Sequence, residues 1–343
     1  MTKEQHQHRK DEHLSLAAKY WKDRDLAHPV SDFDALRLVP VTFPEMALSD
    51  VNVSAELFGY TFETPFYIEA MTGGSAHGDA VNLQLTEIAA NLNLAMAVGS
   101  QSIALKYPEL ADGFRAVRQA NPHGFIFANI GAGHDLEDAK RAVDMLDANA
   151  LELHVNVIQE LSMRDDEGDR SFYWLENIAN IAAGLDVPVI VKEVGSGMSA
   201  ETFRQLQKTG IAAINVGGSG GTNFAWIEHA RNKKGIALES IGLSTAESLL
   251  AAKSAKNKLP LIATGGIRNA SDMVKSQILG ATLASSAGRI LSALTESGID
   301  ATEELLVSWR EDLRKLYLLQ GARNLTELQQ RELILPPSLL SKF

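Results

Sequence analysis

Eight short apolar runs punctuate the middle of this chain at an even pace, and they restrict its fold more than any other feature. They are Phe66–Ala70, Leu94–Val98, Phe125–Ala128, Ala150–His154, Val189–Lys192, Ala212–Val216, Leu261–Thr264 and Thr282–Ser285. Each ends in a glycine-rich or polar turn. Apolar residues at three- and four-residue spacing then follow in Val81–Leu92, Asp135–Leu146, Ala200–Thr209, Thr245–Ala255 and Ala270–Leu279. Near-continuous apolar strands alternating with amphipathic helices indicate a parallel sheet covered on both faces. Ser199, Ser244 (or Thr245) and Asn269 stand where helix N-caps are expected. Eight such units between Phe66 and Ser292 fit an α/β fold of the closed (β/α)8 TIM-barrel type, typically about 250 residues. An open doubly wound sheet competes, but the even pacing favours closure.

The flanks follow a different pattern. Polar and charged residues dominate up to Asp34, which reads as an irregular arm, with extended pieces at Leu36–Phe43 and Val51–Leu57. Thr302–Glu332 reads as a pair of amphipathic helices packed on the barrel or on a neighbouring subunit. The expected organisation is an arm with short extended segments over 1–65, a barrel over 66–292 and a helical extension over 293–343. Two connections are long, Val155 to Trp174 after the fourth strand and Gly217–Gly242 after the sixth. Both leave strand C-termini, the catalytic end of such barrels, and long loops in compact domains tend to be functional.

Composition narrows the chemistry. The chain has no cysteine, which excludes a disulfide scaffold, a thiolate metal site and a thiol nucleophile. Its 43 acidic and 32 basic side chains leave a net charge of −11, adverse to nucleic acid but not to one small anion in a locally basic pocket. The polar N-terminus lacks the apolar core of a signal peptide, and no stretch is long and apolar enough to span a bilayer. A cytoplasmic location is the expectation.

The strand ends hold the candidate site. The seventh and eighth strands end in Gly265-Gly266-Ile267-Arg268 and Ser286-Ala287-Gly288-Arg289. Those are the loops at which barrels commonly seat a phosphate on glycine amides and a helix N-terminus, though glycines also serve plain tight turns. Lys192 closes the apolar fifth run, where it would neutralise an anionic ring, form a Schiff base or hold a phosphate. The fourth run leads into His154, Asn156, Gln159 and Glu160. A single carboxylate among amides suits Mg2+ sharing a phosphate ligand, and equally suits a surface salt bridge. Arg9, Lys10 and His13 put three potential cations within five residues, in a charged tail or in an arm folding over an anion.

Taken together, these residues resemble the type 2, FMN-dependent isopentenyl-diphosphate isomerases over nearly the whole chain. The resemblance rests on RKDEHL at 9–14, MTGG at 71–74, AVGSQ at 97–101, FANIGA at 127–132, HVNVIQE at 154–160, VKEVGSGMS at 191–199, GGSGGTNF at 217–224 and ATGGIR at 263–268. It implies bound FMN and Mg2+, reduction by NADPH, and conversion of isopentenyl diphosphate to dimethylallyl diphosphate with no net redox change. It further implies a homo-oligomer, a tetramer or octamer. FMN would contact Met71, Thr72, Gly73, Ser100, Asn129, Lys192, Ser219 and Thr222, with its phosphate at Gly265, Gly266, Arg268, Ala287 and Gly288. The substrate diphosphate would meet Arg9, Lys10, His13, His154, Asn156 and Gln159, with Mg2+ on Glu160. Gln159, Lys192 and His154 would carry the catalytic roles. Ile241-Gly242 departs from the Trp-Gly that many members carry.

Two other readings compete. An FMN-dependent 2-hydroxy-acid oxidoreductase shares the barrel but wants a histidine beside the flavin near the seventh strand, and no histidine follows His229. A non-catalytic flavin- or phosphate-binding barrel would need neither the Gln159-Glu160 pair nor the basic arm.

Overall fold

All eight expected strands form in a computed structural model that describes residues 2–27, 31–164, 167, 170–233 and 238–340. They are β1 (Phe66–Ile68), β2 (Met96–Ala97), β3 (Ile126–Gly131), β4 (Ala150–Val155), β5 (Val189–Glu193), β6 (Ala213–Asn215), β7 (Leu261–Ala263) and β8 (Leu283–Ser286). Each pairs in parallel with the next, and β8 pairs back to β1 through Ser285 and Tyr67, so the barrel closes. Ser199, Ser244 and Asn269 accept the backbone N–H three residues on, as N-caps do. Ser244 also completes a capping box with Glu247.

Alternate strand residues point into the barrel, and this two-residue period builds it in layers. The lower layer is apolar. Tyr67, Phe127, Ala150, Ile190, Ala213, Ile262 and Leu283 pack together with Ala55, Leu57 and Phe62. The last three come from an antiparallel hairpin, Ala55–Leu57 with Tyr60–Phe62, that stoppers the end where the strands begin. Tyr60, Phe62 and Phe127 stand 4.9–5.0 Å from the Phe125 ring, spacing that favours tilted aromatic contact. Truncating one of these rings to alanine costs about 3–5 kcal/mol. Two residues further along each strand the interior turns polar, and that upper layer is the floor of the site.

The flanks differ from the sequence reading. The first segment is not an irregular arm but a 25-residue helix, α1 (Lys3–Ala27). Its Leu14 and Trp21 are buried. Of the expected extended pieces only Arg37–Leu38 and Ala55–Leu57 are strands, and the first pairs with Leu333–Ile334 near the C-terminus. The expected helix pair over Thr302–Glu332 is instead the second segment of a kinked helix, α2 (Gly288–Leu319), followed by the single turn Leu325–Leu328. The boundary at 292/293 falls inside α2, whose one departure from helical geometry is Gly298, at φ 81°. A glycine takes that conformation at no steric cost, so the chain kinks there between two helical segments. Residues 165–166, 168–169 and 234–237, within the two long connections, lie outside the described residues.

Candidate active site

The upper layer of the barrel is a closed polar network. On β4, Glu152 and His154 share the inward face with Ala150; on β3, Asn129 follows Phe127; on β5, Lys192 follows Ile190. Glu69, just beyond β1, lies 3.5 Å from the Lys192 ammonium, both side chains almost wholly buried. Glu69 accepts hydrogen bonds from Ser285 (2.7 Å), Asn215 (2.8 Å) and the Ala70 N–H (2.7 Å). Burial opposes its charge, yet Lys192 and these donors outweigh burial and hold its pKa below the usual carboxylate value. Glu152 accepts from the Tyr67 hydroxyl at 2.9 Å and the Asn129 amide at 3.1 Å. Burial, reinforced by the charge of Glu69, pushes Glu152 up to about 8. Lys192 is held above the ordinary ammonium value: burial disfavours the cation, but Glu69 and Glu152 outweigh burial. The floor thus sets the ionised Glu69 against the Lys192 ammonium, while burial and Glu69 favour the neutral form of Glu152. An unpaired charge at that depth would cost several kcal/mol.

Above this floor opens a cavity of about 660 Å3, within the range of roughly 300–1,000 Å3 that small-molecule and cofactor sites occupy. One wall is backbone. The turns after β6, β7 and β8 bring Gly217, Gly218, Gly221, Gly265, Gly266, Ala287 and Gly288 to the cavity. Gly265 sits at φ +100°, and a Cβ there would collide with the carbonyl oxygen of Gly218, so only glycine lets the two turns meet. Ala287 caps α2, whose first N–H groups and dipole favour an anion at this wall. A backbone cradle at a long helix N-terminus, with a buried cation below it, fits a flavin mononucleotide with its phosphate at the β7–β8 turns.

The roof is α1. His6, Arg9, Lys10, His13, Leu14, Ala17 and Trp21 line the cavity, spaced at the three- and four-residue steps of one helix face. Lys10 donates to the carbonyl oxygens of Gly73 and Ser100, the second at 2.7 Å. Burial, with the Arg9 charge adding to it, pushes Lys10 down to about 7. His13 lies 2.6 Å from Glu228, which pairs with Arg231 at 2.6 Å, and Arg231 reaches Glu12 at 3.0 Å. These contacts pin α1 to the helix Phe224–Asn232. Trp21 donates from its indole N–H to the Thr222 hydroxyl at 3.0 Å and packs against Gly288.

Most residues named from the sequence meet in this cavity: Arg9, Lys10, His13, Met71, Thr72, Ser100, His154, Asn156, Gln159, Glu160, Lys192, Thr222, Gly265, Gly266, Ala287 and Gly288 all line it. Asn156 donates to the Gln159 side chain at 2.9 Å, fixing the carboxamide's direction. Glu160 stands beside them, and among the described residues no group of three or more His, Cys, Asp or Glu forms a metal cage. One carboxylate with substrate phosphates and water is how Mg2+ usually binds, so the residues fit that ion. Four named residues stand apart from the lining. Asn129 lies in the floor, between Glu152 and His154. Gly73 meets Lys10 through its carbonyl, and Ser219 bridges to Ser244. Arg268 points its guanidinium at Asp34 (2.5 and 2.9 Å) and Asp272 (2.9 Å) rather than into the cavity, because those carboxylates satisfy its fork. The sequence reading missed Glu69, Glu152 and Tyr67 in the floor. It also missed His134, which lines the wall 2.8 Å from both Asp138 and the Ser102 hydroxyl.

Fold and site together define a flavin-binding barrel, and the comparisons agree. The family of FMN-dependent dehydrogenases matches residues 131–335. Among solved structures, a lactate oxidase of Pediococcus acidilactici aligns with a TM-score of 0.67 at 15% identity, covering 94% of each chain. A mandelate oxidase aligns at 0.62 and 16% identity, covering 94% of this chain and 90% of its own. At such identities these two show the fold alone. Closer in sequence is the isopentenyl-diphosphate delta-isomerase of Lactococcus lactis, 58% identical over 99% of this chain and 97% of its own. The enzyme of the same name from Latilactobacillus sakei is 48% identical over 97% and 94%. The chain belongs to the isopentenyl-diphosphate delta-isomerase family, within the FMN-dependent barrels.

Proposed function

We propose that this protein converts isopentenyl diphosphate to dimethylallyl diphosphate by a 1,3-allylic proton shift, with reduced FMN and Mg2+ in the cavity under α1. The observation that carries the reading is the pairing of an anion-binding backbone wall with Arg9 and Lys10 on the opposite roof, His13 lining the cavity beside them. The cavity therefore offers two anion sites, one for a cofactor phosphate and one for a diphosphate. Reduced flavin, when bound, supplies an exchangeable proton at N5 and an electron-rich ring for cationic character at the tertiary carbon.

The chain's own residues hold and orient. The β7–β8 turns would take the cofactor phosphate, Met71 and Thr72 would help hold the ring, and Lys192 would offer it a cation. Arg9, Lys10, His13, His154 and Asn156 would take the diphosphate, and Glu160 would hold the Mg2+. Gln159, aimed by Asn156, orients the alkene end. Fixing the diphosphate in this way would orient the alkene for the proton shift, an entropic gain these residues supply. NADPH serves as the reductant. We infer a cytoplasmic enzyme assembled as a tetramer or octamer, its arm, barrel and extension acting as one unit. Among the described residues no helix is long and apolar enough to cross a membrane. The hydroxy-acid oxidoreductase reading is disfavoured by the floor, where the inward side chain just beyond β7 is Thr264 and no histidine follows His229.

An anaerobic assay tests this. Purified protein should be yellow and should isomerise isopentenyl diphosphate only with reductant and Mg2+ present. Colourless protein that cannot take up FMN overturns the reading, and yellow protein that instead oxidises a hydroxy acid replaces it.

A further inference from the structure

We propose that Glu152, buried in the floor and away from the cavity itself, is a positioning residue: acting through Asn129, it sets which nitrogen of His154 faces the substrate. Glu152 is fully buried. One of its carboxyl oxygens accepts from the Tyr67 hydroxyl at 2.9 Å and the other from the Asn129 amide nitrogen at 3.1 Å. An amide nitrogen can only donate, so the oxygen facing it accepts whether or not the carboxyl carries a proton on its other oxygen. The Asn129 amide is thereby held with its own oxygen turned to His154 Nδ1, 2.8 Å away. That oxygen can only accept. Nδ1 must therefore carry the imidazole proton, and Nε2 turns a lone pair toward Gly131 and the cavity.

The consequence is a change of role for His154. A histidine among phosphate-binding residues is ordinarily pictured as a cation. Here it sits near the Lys192 ammonium, and burial together with that charge drives its pKa down to about 3. His154 thus presents an acceptor. In a complex with a diphosphate it pairs with a hydrogen, either on metal-bound water or on a protonated phosphate oxygen, while the charge is met by Arg9, Lys10 and the metal. This consequence rests on the isomerase reading above; the tautomer itself does not.

The test uses flavin-loaded enzyme with 15N-labelled histidine, the His154 signals being assigned by their loss in His154→Gln. The expected wild-type spectrum shows a protonated Nδ1 and an unprotonated Nε2. Glu152→Gln should keep it, because the new oxygen still accepts from Asn129 while the new amide donates to Tyr67. Glu152→Leu should release Asn129, mix the tautomers and raise KM for isopentenyl diphosphate roughly tenfold, with Glu152→Gln near wild type. If Glu152→Leu does not fold, Asn129→Ala breaks the same chain one link on and should release the tautomer likewise. A wild-type His154 protonated on Nε2, or an unchanged tautomer in both Glu152→Leu and Asn129→Ala, overturns the proposal. An inactive wild type with the Nδ1–H tautomer in place would overturn the isomerase reading while supporting this one.

Discussion

Lys10 carries its ammonium against two carbonyl oxygens under a roof that also holds Arg9, and burial brings its pKa to about 7. The cation is complete below that value and lost above it. If Lys10 holds the diphosphate, kcat/KM for isopentenyl diphosphate should fall as pH rises through about 7. Lys10→Arg, whose guanidinium stays charged, should move the fall upward; a wild-type profile flat through that region would refute the role. Stability follows the opposite sign. Between about 7 and the ordinary ammonium value the unfolded chain binds the proton and the folded chain does not, so this group makes stability rise with pH there. Gln159 offers a second measurement at this scale. Its carboxamide is aimed by Asn156 and has no proton of its own to give, so Gln159→Ala should lower kcat by on the order of 10²-fold through lost orientation while flavin content is unchanged. Near-normal turnover with flavin bound would remove Gln159 from the mechanism. Gln159 was legible in the sequence because it stands just past a strand end, and Lys10 because it sits in a basic cluster with Arg9 and His13. The floor was not, although the signal existed: Glu69 and Glu152 interrupt apolar runs just as Lys192 does. A charge inside an apolar run points into the barrel whether it is a carboxylate or an ammonium.

At the scale of elements, the eight strands were legible because Val, Ile, Leu and Phe in short runs bounded by glycine turns admit little else. The hairpin stopper and α1 were harder to see. The inner face of α1 mixes cations with Leu14, Ala17 and Trp21, so it lacks the apolar periodicity by which a helix announces itself. Its helical spacing shows only when cavity-lining residues are counted together. The helix is held by this face, by the Glu12–Arg231 ion pair and by the hydrogen bond between His13 and Glu228. Leu14 is 6% exposed and packs in the apolar core, contacts that an aspartate there would lose. Leu14→Asp should loosen α1 by about 2–5 kcal/mol, the scale of a lost buried leucine. The expected outcome is loss of amide-exchange protection over α1 and a raised KM for isopentenyl diphosphate, with FMN still bound, because the cradle belongs to the β6–β8 turns. Equal loss of FMN would show that α1 holds the cofactor as well.

Over the whole molecule, an acidic chain of net charge −11 sets a few cations at one barrel mouth. Arg9, Lys10 and Lys192 line it while Arg268 is spent on Asp34 and Asp272. The barrel closes through its own strands, its lower layer is filled by side chains and its floor pairs Glu69 with Lys192, so none of the folding bonds described depends on a flavin. FMN should therefore be a stabilising ligand rather than a requirement for folding. Binding to the native state alone adds RT ln(1 + [L]/Kd), about 2.7 kcal/mol at a hundredfold excess over Kd. At about 2.1 cal/mol/K of unfolding entropy per residue, a chain of 343 residues converts that into a rise in Tm of roughly 4 °C. Calorimetry of flavin-stripped protein should show one cooperative transition that moves up by this amount on adding FMN. A further rise should appear on adding isopentenyl diphosphate with Mg2+, since the second anion site lies against a different wall. A stripped protein with no cooperative transition would mean instead that the glycine turns fold only around the flavin phosphate, and the cradle at Gly265 and Gly288 would then be a product of binding rather than its cause.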